Sequence, residues 1–128
     1  MTISSGREGR HLLTDLFGCT HLDDLSLIEE TMREATAAAG ATLIGIHLHH
    51  FGDGQGVTGV ALLAESHMSI HTWPEYGYAA LDIFLCGMQH DIEAPRDLFA
   101  SRLSAQKVSN RLISRGEMVD VPVTGLSR

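Results

Sequence analysis

The sequence predicts an α+β fold, a two-layer sandwich in which two helices cover one face of a mostly antiparallel β-sheet. Two segments carry apolar residues at helical spacing, while most of the others alternate or form short apolar runs, as strands do. Most predicted strands follow one another through short turns, which favours antiparallel pairing, and each helix has one apolar face to bury. The chain of 128 residues suits one domain, residues 1–128, with a single core.

The first predicted elements are a strand and a capped helix. Residues 10–18 predict a strand, because their side chains would alternate between two faces. Asp23 or Asp24 can cap a helix that begins near Leu25, and Gly40 is a natural terminator for it. The apolar stripe of this helix recurs every three or four positions, at Leu25, Ile28, Met32, Ala35 and Ala39.

Residues 41–51 predict a strand whose two faces differ. One face suits a core beneath a helix and consists of Ile44, Ile46 and Leu48. The other face places imidazoles and an aromatic ring on a partly polar surface, and it consists of Leu43, His47, His49 and Phe51. Residues 52–56 follow as a flexible turn, since their glycines lack the G-K-[ST] sequence of a phosphate-binding loop.

The segments after this turn predict two more strands and a second helix. The strands cover residues 57–64 and 78–86, and residues 68–72 continue the first of them after an interruption at residues 65–67. Asp91 can cap a helix that begins at Ile92. Its inner side consists of Leu98, Phe99 and Leu103.

Two weaker strands are predicted at the end of the chain, over residues 106–114 and 117–123. Pro122 favours an edge position for the last of them, because proline lacks the N–H that a ladder needs. The helices cover only one side of this sheet, so the side that carries His49 and Phe51 needs another cover. A second copy of the chain is the simplest cover, and we therefore expect a homodimer.

Composition and charge exclude several classes of protein. Hydrophobic residues make up 44%, as in ordinary globular proteins, and no apolar run approaches the roughly 20 residues that span a bilayer. The net charge of −7 argues against binding to the phosphate backbone of nucleic acids. Residues 1–10 lack the apolar segment of a signal peptide, so we expect a cytoplasmic protein in which Cys19 and Cys86 are reduced.

Ser66 is the strongest chemical signal in the sequence. It follows an apolar run and lies between Glu65 and His67, and more reactive side chains follow within ten positions, at His71, Trp73 and Glu75. The residues alone leave three interpretations open: a structural serine, a nucleophile in a triad assembled in space, and a site of self-cleavage. No G-x-S-x-G elbow surrounds this serine.

Self-cleavage would turn Ser66 into a cofactor. Its hydroxyl can attack the preceding carbonyl carbon and convert the amide to an ester, and β-elimination followed by hydration then leaves a pyruvoyl group. These steps need a donor for the oxyanion and a base for the serine Cα proton. Thr58 and His71 are of the right chemical types for these roles.

Four runs of sequence resemble the prokaryotic S-adenosylmethionine decarboxylases, which are pyruvoyl-dependent and self-processing. They are Gly56-Val57-Thr58-Gly59-Val60, Ala64-Glu65-Ser66-His67, Ile70-His71-Thr72-Trp73-Pro74-Glu75, and Gly77-Tyr78-Ala79-Ala80-Leu81-Asp82 through Cys86-Gly87. The similarity extends from Gly9 to about Gly116, which is most of the chain. It implies the fold of that family and cleavage between Glu65 and Ser66, into a β chain of residues 1–65 and an α chain of residues 66–128.

The resemblance also implies the roles of individual residues. His71 matches the processing base, and Thr58 stands where many members have serine, with the hydroxyl kept. Cys86 matches the residue that protonates the substrate carbon after carbon dioxide leaves. The pyruvoyl group made from Ser66 would form a Schiff base with the substrate amine and accept electrons, without a separate cofactor.

The implied substrate is S-adenosylmethionine, decarboxylated to the aminopropyl donor for spermidine synthesis. Phe51 and Trp73 match the residues that stack on adenine, and Glu75 matches the acceptor for the ribose hydroxyls. Met68 would contribute backbone groups to the ligand. We expect small-molecule binding alone, with no nucleic acid and no membrane as partners.

Two other functions remain open from the sequence. After Cys86-Gly87 the chain departs from the family pattern, and some homologues with this fold decarboxylate arginine or ornithine rather than S-adenosylmethionine. A non-catalytic metal-binding protein is the other alternative, since His47 and His49 share a strand face. Because no H-E-x-x-H motif or carboxylate-rich set accompanies these histidines, we expect no metal site.

Overall fold

The computed structural model of the protein describes residues 8–87 and 89–117. These residues form the strands β1 (Gly9–Phe17), β2 (Leu43–His50), β3 (Val57–Leu63), β4 (Ser66–Trp73), β5 (Tyr78–Cys86) and β6 (Lys107–Arg115), the helices α1 (Leu25–Ala39) and α2 (Glu93–Arg102), and a 3-10 helix, Pro74–Tyr76. The strands make one sheet in the order β2-β3-β4-β5-β1-β6, and each neighbouring pair is antiparallel. The predicted α+β sandwich is confirmed.

Helix α1 begins and ends where the sequence predicts. The carboxylate of Asp24 accepts a hydrogen bond from the N–H of Leu27 at 3.0 Å, which satisfies one of the free donors of the first turn. Gly40 ends the helix with a φ of 77°, in the left-handed region that glycine adopts without a steric penalty. The predicted stripe packs into the core, fully at Ile28, Met32, Ala35 and Ala39 and partly at Leu25.

Helix α2 begins one residue later than predicted, at Glu93. The predicted cap is confirmed, because the Asp91 carboxylate accepts hydrogen bonds from the N–H groups of Glu93 and Ala94 at 3.1 and 3.0 Å. The predicted inner side is confirmed too, with Phe99 and Leu103 fully buried and Leu98 partly buried against the core. Arg102 bonds Glu34 of α1, and this contact links the two helices.

The strand predicted over residues 57–64 and 68–72 is in fact a hairpin of two strands. β3 ends at Leu63 and β4 begins at Ser66, and these two residues face each other across the antiparallel pair. The prediction of one interrupted strand was wrong, because the chain reverses direction in the turn between them, where Glu65 has a φ of 61°. Ser66 is therefore the first residue of a strand and not the end of one.

Strand β2 corrects a second prediction. The sequence places Ile44 on the core face with Ile46 and Leu48, yet its side chain is 66% exposed, while Leu43 packs on the core instead. A β-bulge causes the difference. Leu43 pairs with Leu63 and Gly45 pairs with Leu62, so Ile44 is an extra residue between the two pairs. One added residue shifts the alternation of the strand by one position.

The end of the described chain forms the edge of the sheet. The strand predicted over residues 106–114 is β6, which pairs with β1 and is exposed along its whole length. The further strand predicted over residues 117–123 falls mostly outside the described residues. Glu117 alone is described, and it belongs to no strand or helix.

The sheet has one covered face and one open face. Both helices pack on the first face, over a core that includes Leu12, Leu16, Val57, Ala61, Met68, Ile70, Leu81, Ile83 and Leu85. The side chains that alternate with these point away from the helices, on a face that we call the open face. It carries His11, Phe17, Thr58, His67, His71, Trp73, Tyr78, Asp82 and Phe84.

No helix in the described ranges is long and apolar enough to cross a membrane.

Candidate functional site

The β3–β4 turn holds the predicted cleavage bond in a strained backbone. Ala64 and Glu65 are the two turn residues between Leu63 and Ser66, and both are exposed. Glu65 has a φ of 61°, a left-handed conformation that costs a residue with a side chain on the order of 1–3 kcal/mol. The N–H of Ala64 donates to the carbonyl of Thr42, which ties the turn to the start of β2. The Glu65–Ser66 bond is thus accessible and lies directly after a strained residue.

Ser66 is linked to the end of the neighbouring strand β5. The backbone N–H of Cys86 donates a hydrogen bond to Oγ of Ser66 at 3.0 Å. Both side chains are partly buried, and Cys86 carries a free thiol. The bond brings together the predicted cofactor precursor and the predicted proton donor.

Thr58 and His71 form a second pair on the open face. They face each other across β3 and β4, and Oγ1 of Thr58 lies 3.1 Å from Nδ1 of His71. Such a pair can exchange a proton between hydroxyl and imidazole, with the direction set by the tautomer of the ring. The structure thus brings together the two residues that the sequence assigned to processing.

A pocket of about 280 Å³ lies beside this pair. Its lining includes five of the predicted site residues, Phe51, Thr58, His71, Trp73 and Glu75. Phe51 and Trp73 are 60% and 38% exposed, so each offers a bare aromatic face. The ring of His71 lies 6.1 Å from that of Trp73, and the ring of His49 supports Phe51 at 4.6 Å. An aromatic wall with a carboxylate at its rim suits a flat, polar ligand.

Gly56 is needed at the base of this pocket. A Cβ atom at this position would lie 2.0 Å from the carbonyl oxygen of Thr72, closer than any real contact. The Thr72 hydroxyl is buried, donates to the carbonyl of Leu22 at 2.7 Å and accepts from the N–H of Val57 at 2.8 Å. These bonds fix the strand against which the glycine packs, so the pocket has a rigid floor.

The predicted site residues fall into two groups at opposite ends of β4. Ser66 begins the strand, and His71 lies five residues further on, which corresponds to about 17 Å of extended chain. An odd separation also places the two side chains on opposite faces. Met68 belongs to neither group, since its side chain is fully buried in the core. Its predicted backbone contact with the ligand stays a prediction.

The histidines do not gather around a common point. His11 and His67 contact Phe84 on the open face at ring distances of 5.8 and 5.6 Å. His47 and His49 lie on β2, at the far side of the sheet from β1. Among residues 8–87 and 89–117, no group of three His, Cys, Asp or Glu side chains is placed to hold a metal ion.

Sequence reasoning missed three residues next to the pocket: Phe17, Asp15 and Tyr78. The Tyr78 ring stacks on Trp73 at 5.1 Å, and its hydroxyl donates to Oδ1 of Asp15 at 2.5 Å. The hydrogen bond to Asp15, aided by partial burial and the nearby charges of Asp15 and Asp82, raises the pKa of Tyr78 to about 12. Only the register of β5 against β1 and β4 brings these side chains together, and no motif encodes that register.

Comparisons with known proteins agree with this fold. The family model described as S-adenosylmethionine decarboxylase matches residues 10–116. Relatives named S-adenosylmethionine decarboxylase proenzyme include one from Thermomicrobium roseum, 44% identical over 112 residues, and one from Methanococcus aeolicus, 47% identical over 114 residues. Each alignment covers 88% of this chain and 97% of the relative.

A solved structure has the same fold. The crystal structure of the adenosylmethionine decarboxylase from Aquifex aeolicus VF5 superposes with a TM-score of 0.80 and 32% sequence identity. The match covers 92% of this chain and 98% of that one. The resemblance read from the sequence is confirmed by these findings.

Proposed function

Because the chain belongs to the S-adenosylmethionine decarboxylase family, we propose that it is a self-processing carboxy-lyase that acts on S-adenosylmethionine. The observation that carries the proposal is the turn at Glu65–Ser66. It combines a left-handed Glu65, an exposed peptide bond and a serine whose hydroxyl oxygen is held by the N–H of Cys86. Together these features place a nucleophilic hydroxyl directly beside a strained and accessible peptide bond.

Processing begins when Oγ of Ser66 attacks the carbonyl carbon of Glu65 and the C–N bond breaks, which leaves an ester and a free amine. Release of the strain at Glu65 favours this rearrangement. A base removes the Cα proton of Ser66, and the Glu65 carboxylate departs from the β carbon. Water then replaces the nitrogen, which leaves as ammonia. The products are a chain that ends at Glu65 and a chain that begins with a pyruvoyl group.

The residues around Ser66 fit a pyruvoyl group. A pyruvoyl carbonyl supplies an electron sink for the loss of carbon dioxide from an amino acid. Cys86 is the neighbour of Ser66 through its own N–H, and its thiol can deliver a proton to the substrate carbon. The pairing of β4 with β5 holds the end of β5 close to the new chain terminus after Oγ of Ser66 has left, so the proton donor stays near the reacting atoms.

The pocket beside Thr58 and His71 fits the nucleoside of the substrate. Phe51 and Trp73 offer flat aromatic faces for a purine, and these electron-rich rings also favour the positive charge of a sulfonium. Glu75 at the rim can accept hydrogen bonds from ribose hydroxyls. Arginine and ornithine contain neither a purine nor a ribose, so they would leave these groups without partners.

A homodimer would join the two groups of site residues. Ser66 and Cys86 lie at one end of β4 and β5, whereas Thr58 and His71 lie at the other end, so a single chain separates the precursor from its processing pair. Two chains packed through their open faces about a two-fold axis would bring the end of the sheet that carries Thr58 and His71 in one copy next to the β3–β4 turn of the other. The aromatic side chains exposed on that face support such an interface.

This activity would place the protein among the enzymes of polyamine synthesis. Decarboxylation converts S-adenosylmethionine into an aminopropyl donor, which a transferase that makes spermidine would consume. We further propose that this reaction takes place in the cytoplasm.

Release of carbon dioxide from S-adenosylmethionine, ornithine and arginine, measured in parallel, tests the substrate. We expect release from S-adenosylmethionine, with the two basic amino acids slower by at least about a hundredfold, because a site built for hydrogen-bonded groups rejects ligands that lack them. Ser66→Ala provides the control, since it cannot form the pyruvoyl group. Faster release from arginine or ornithine would replace the proposed substrate but keep the decarboxylase, and release by Ser66→Ala would refute the pyruvoyl chemistry.

A further inference from the structure

Three aromatic rings form a continuous stack on the open face beside the pocket. Tyr78 begins β5 and is the register partner of Trp73 at the end of β4. Its ring lies 5.1 Å from that of Trp73 and 5.4 Å from that of Phe17, and both pairs are within 21° of parallel. Since β5 lies between β4 and β1 in the sheet, Tyr78 is the middle ring. We call these three residues the aromatic stack.

A hydrogen bond fixes the orientation of the middle ring. The hydroxyl of Tyr78 donates to Oδ1 of Asp15 at 2.5 Å, and Asp15 pairs with Ala80, two residues along β5 on the same face. A bond from a hydroxyl to a carboxylate is shorter and stronger than a neutral one. The same bond, aided by partial burial and the charges of Asp15 and Asp82, raises the pKa of Tyr78 to about 12, as expected for a neutral hydroxyl that donates to a carboxylate.

Stacking of the rings does not require the hydroxyl of Tyr78 or its hydrogen bond to Asp15. A phenylalanine at position 78 would fill the same place between Phe17 and Trp73. The hydroxyl and its carboxylate partner remove the freedom of the ring to tilt, and the ring in turn supports one face of Trp73. Trp73 is 38% exposed, so this support restricts a side chain that solvent would otherwise leave mobile.

We propose that Tyr78 is a positioning residue for substrate binding, which fixes the plane of the Trp73 ring through its hydrogen bond to Asp15 and its stacking on Phe17. The inference rests on the proposed function, because the ligand that Trp73 would stack on is the purine of S-adenosylmethionine. A ring already held in the binding orientation loses less freedom when the ligand arrives. Tyr78 does not contact the reacting atoms, so it acts on binding and not on the chemical step.

The test uses Trp73 as its own reporter, because it is the single tryptophan of the chain. Three variants weaken the stack: Tyr78→Phe removes the hydrogen bond, Asp15→Asn replaces its charged acceptor with a neutral amide oxygen, and Tyr78→Leu removes both the bond and the ring. The matched control is Tyr76→Phe, which makes the same chemical change at the other tyrosine, where the side chain is 75% exposed. For each protein, KM and kcat for S-adenosylmethionine and acrylamide quenching of Trp73 fluorescence without substrate are measured.

We expect KM to rise by a factor of less than about three in Asp15→Asn, about threefold in Tyr78→Phe, and about tenfold in Tyr78→Leu. In all three variants kcat should stay within about twofold of the unmodified protein. Quenching of Trp73 should become more efficient in the same order, and Tyr76→Phe should change neither quantity.

Several results would overturn the inference. Unchanged KM and unchanged quenching in Tyr78→Phe and Asp15→Asn would do so, even where Tyr78→Leu fails to fold. A fall in kcat with KM unchanged would assign Tyr78 to the chemical step instead. The quenching measurement requires no turnover, so it separates the two proposals. An unmodified protein inactive on S-adenosylmethionine would refute the proposed substrate, while unaltered quenching in the variants would refute the positioning role.

Discussion

Ser66 and His71 lie on the same strand, five residues apart, so about 17 Å of extended chain separates them and their side chains leave opposite faces of the sheet. Yet the processing chemistry needs a base at the Cα proton of Ser66. His71 has its own partner, Thr58, 3.1 Å away, in the pocket at the far end of the strand. The proposed second copy of the chain would bring its own His71 to this proton, so the proposed processing depends on the proposed dimer.

Mixed dimers test this arrangement. His71→Ala keeps its own Ser66 but lacks the base, whereas Ser66→Ala keeps the base but has no precursor. We expect each variant alone to stay uncleaved over a period in which the unmodified chain is cleaved. Co-expression should restore cleavage of the His71→Ala chain, because the other copy supplies the base. Tags of different mass on the two variant chains allow mass spectrometry to show which chain is cleaved. Absence of cleavage in purified mixed dimers would contradict the shared site.

Cys86 is expected to matter for turnover but not for processing. Its N–H bonds Ser66, and Cys86→Ala keeps that backbone group. Cleavage should therefore proceed, while decarboxylation falls by about 10²–10⁴-fold with the loss of the proton donor. The matched control is Cys19→Ala, because Cys19 is the other free cysteine and burial raises the pKa of its thiol. Equal loss of activity in both variants would show that the effect is not specific to position 86.

Gly56 is expected to be intolerant of any side chain. Gly56→Ala would place a Cβ 2.0 Å from the Thr72 carbonyl oxygen, and because that atom is backbone, the strands must shift. We expect a loss of about 1–3 kcal/mol in the free energy of unfolding and a damaged pocket. Gly45→Ala is the control, since the methyl group that it adds would have no neighbour within 4 Å and the φ of Gly45 is not left-handed. Thermal unfolding of both variants measures the difference, and equal stabilities would contradict the close packing.

The hydrogen bond between Tyr78 and Asp15 predicts an unusual titration. Because the folded protein favours the neutral phenol, this contact stabilises the fold below the ordinary pKa of about 10 and loses that effect as pH rises toward about 12. In a Tyr76→Phe background, ultraviolet absorbance should show Tyr78 ionising near the upper value. Asp15→Asn should lower the midpoint, because it removes the carboxylate that opposes the phenolate. A midpoint that Asp15→Asn leaves unchanged would mean that the carboxylate does not hold the hydroxyl.

Local rules predicted much of this fold. Asp24, Gly40 and Asp91 were readable as helix boundaries because capping depends on a side chain and the few residues beside it. The hairpin at Glu65 and the bulge at Ile44 were not readable, because a non-glycine residue gives no sign of a positive φ or of an extra residue in a ladder.

The candidate site also contains residues that the sequence indicates and residues that only the structure reveals. The family resemblance points to Phe51, Thr58, His71, Trp73 and Glu75, and all of them line one pocket. Asp15 and Phe17 come from β1, and only the pairing of β1 with β5 brings them to Tyr78. The separation of Ser66 from His71 also required the structure, because it depends on which end of a strand each residue occupies.

Mass spectrometry of the purified full-length protein tests the central proposal most directly. We predict two chains, residues 1–65 and residues 66–128, with the second lighter by one ammonia than a chain that begins with a free serine. Ser66→Ala should remain a single chain. An unbroken chain after prolonged incubation, or a second chain that begins with an intact serine, would contradict the conversion of Ser66 into a pyruvoyl group.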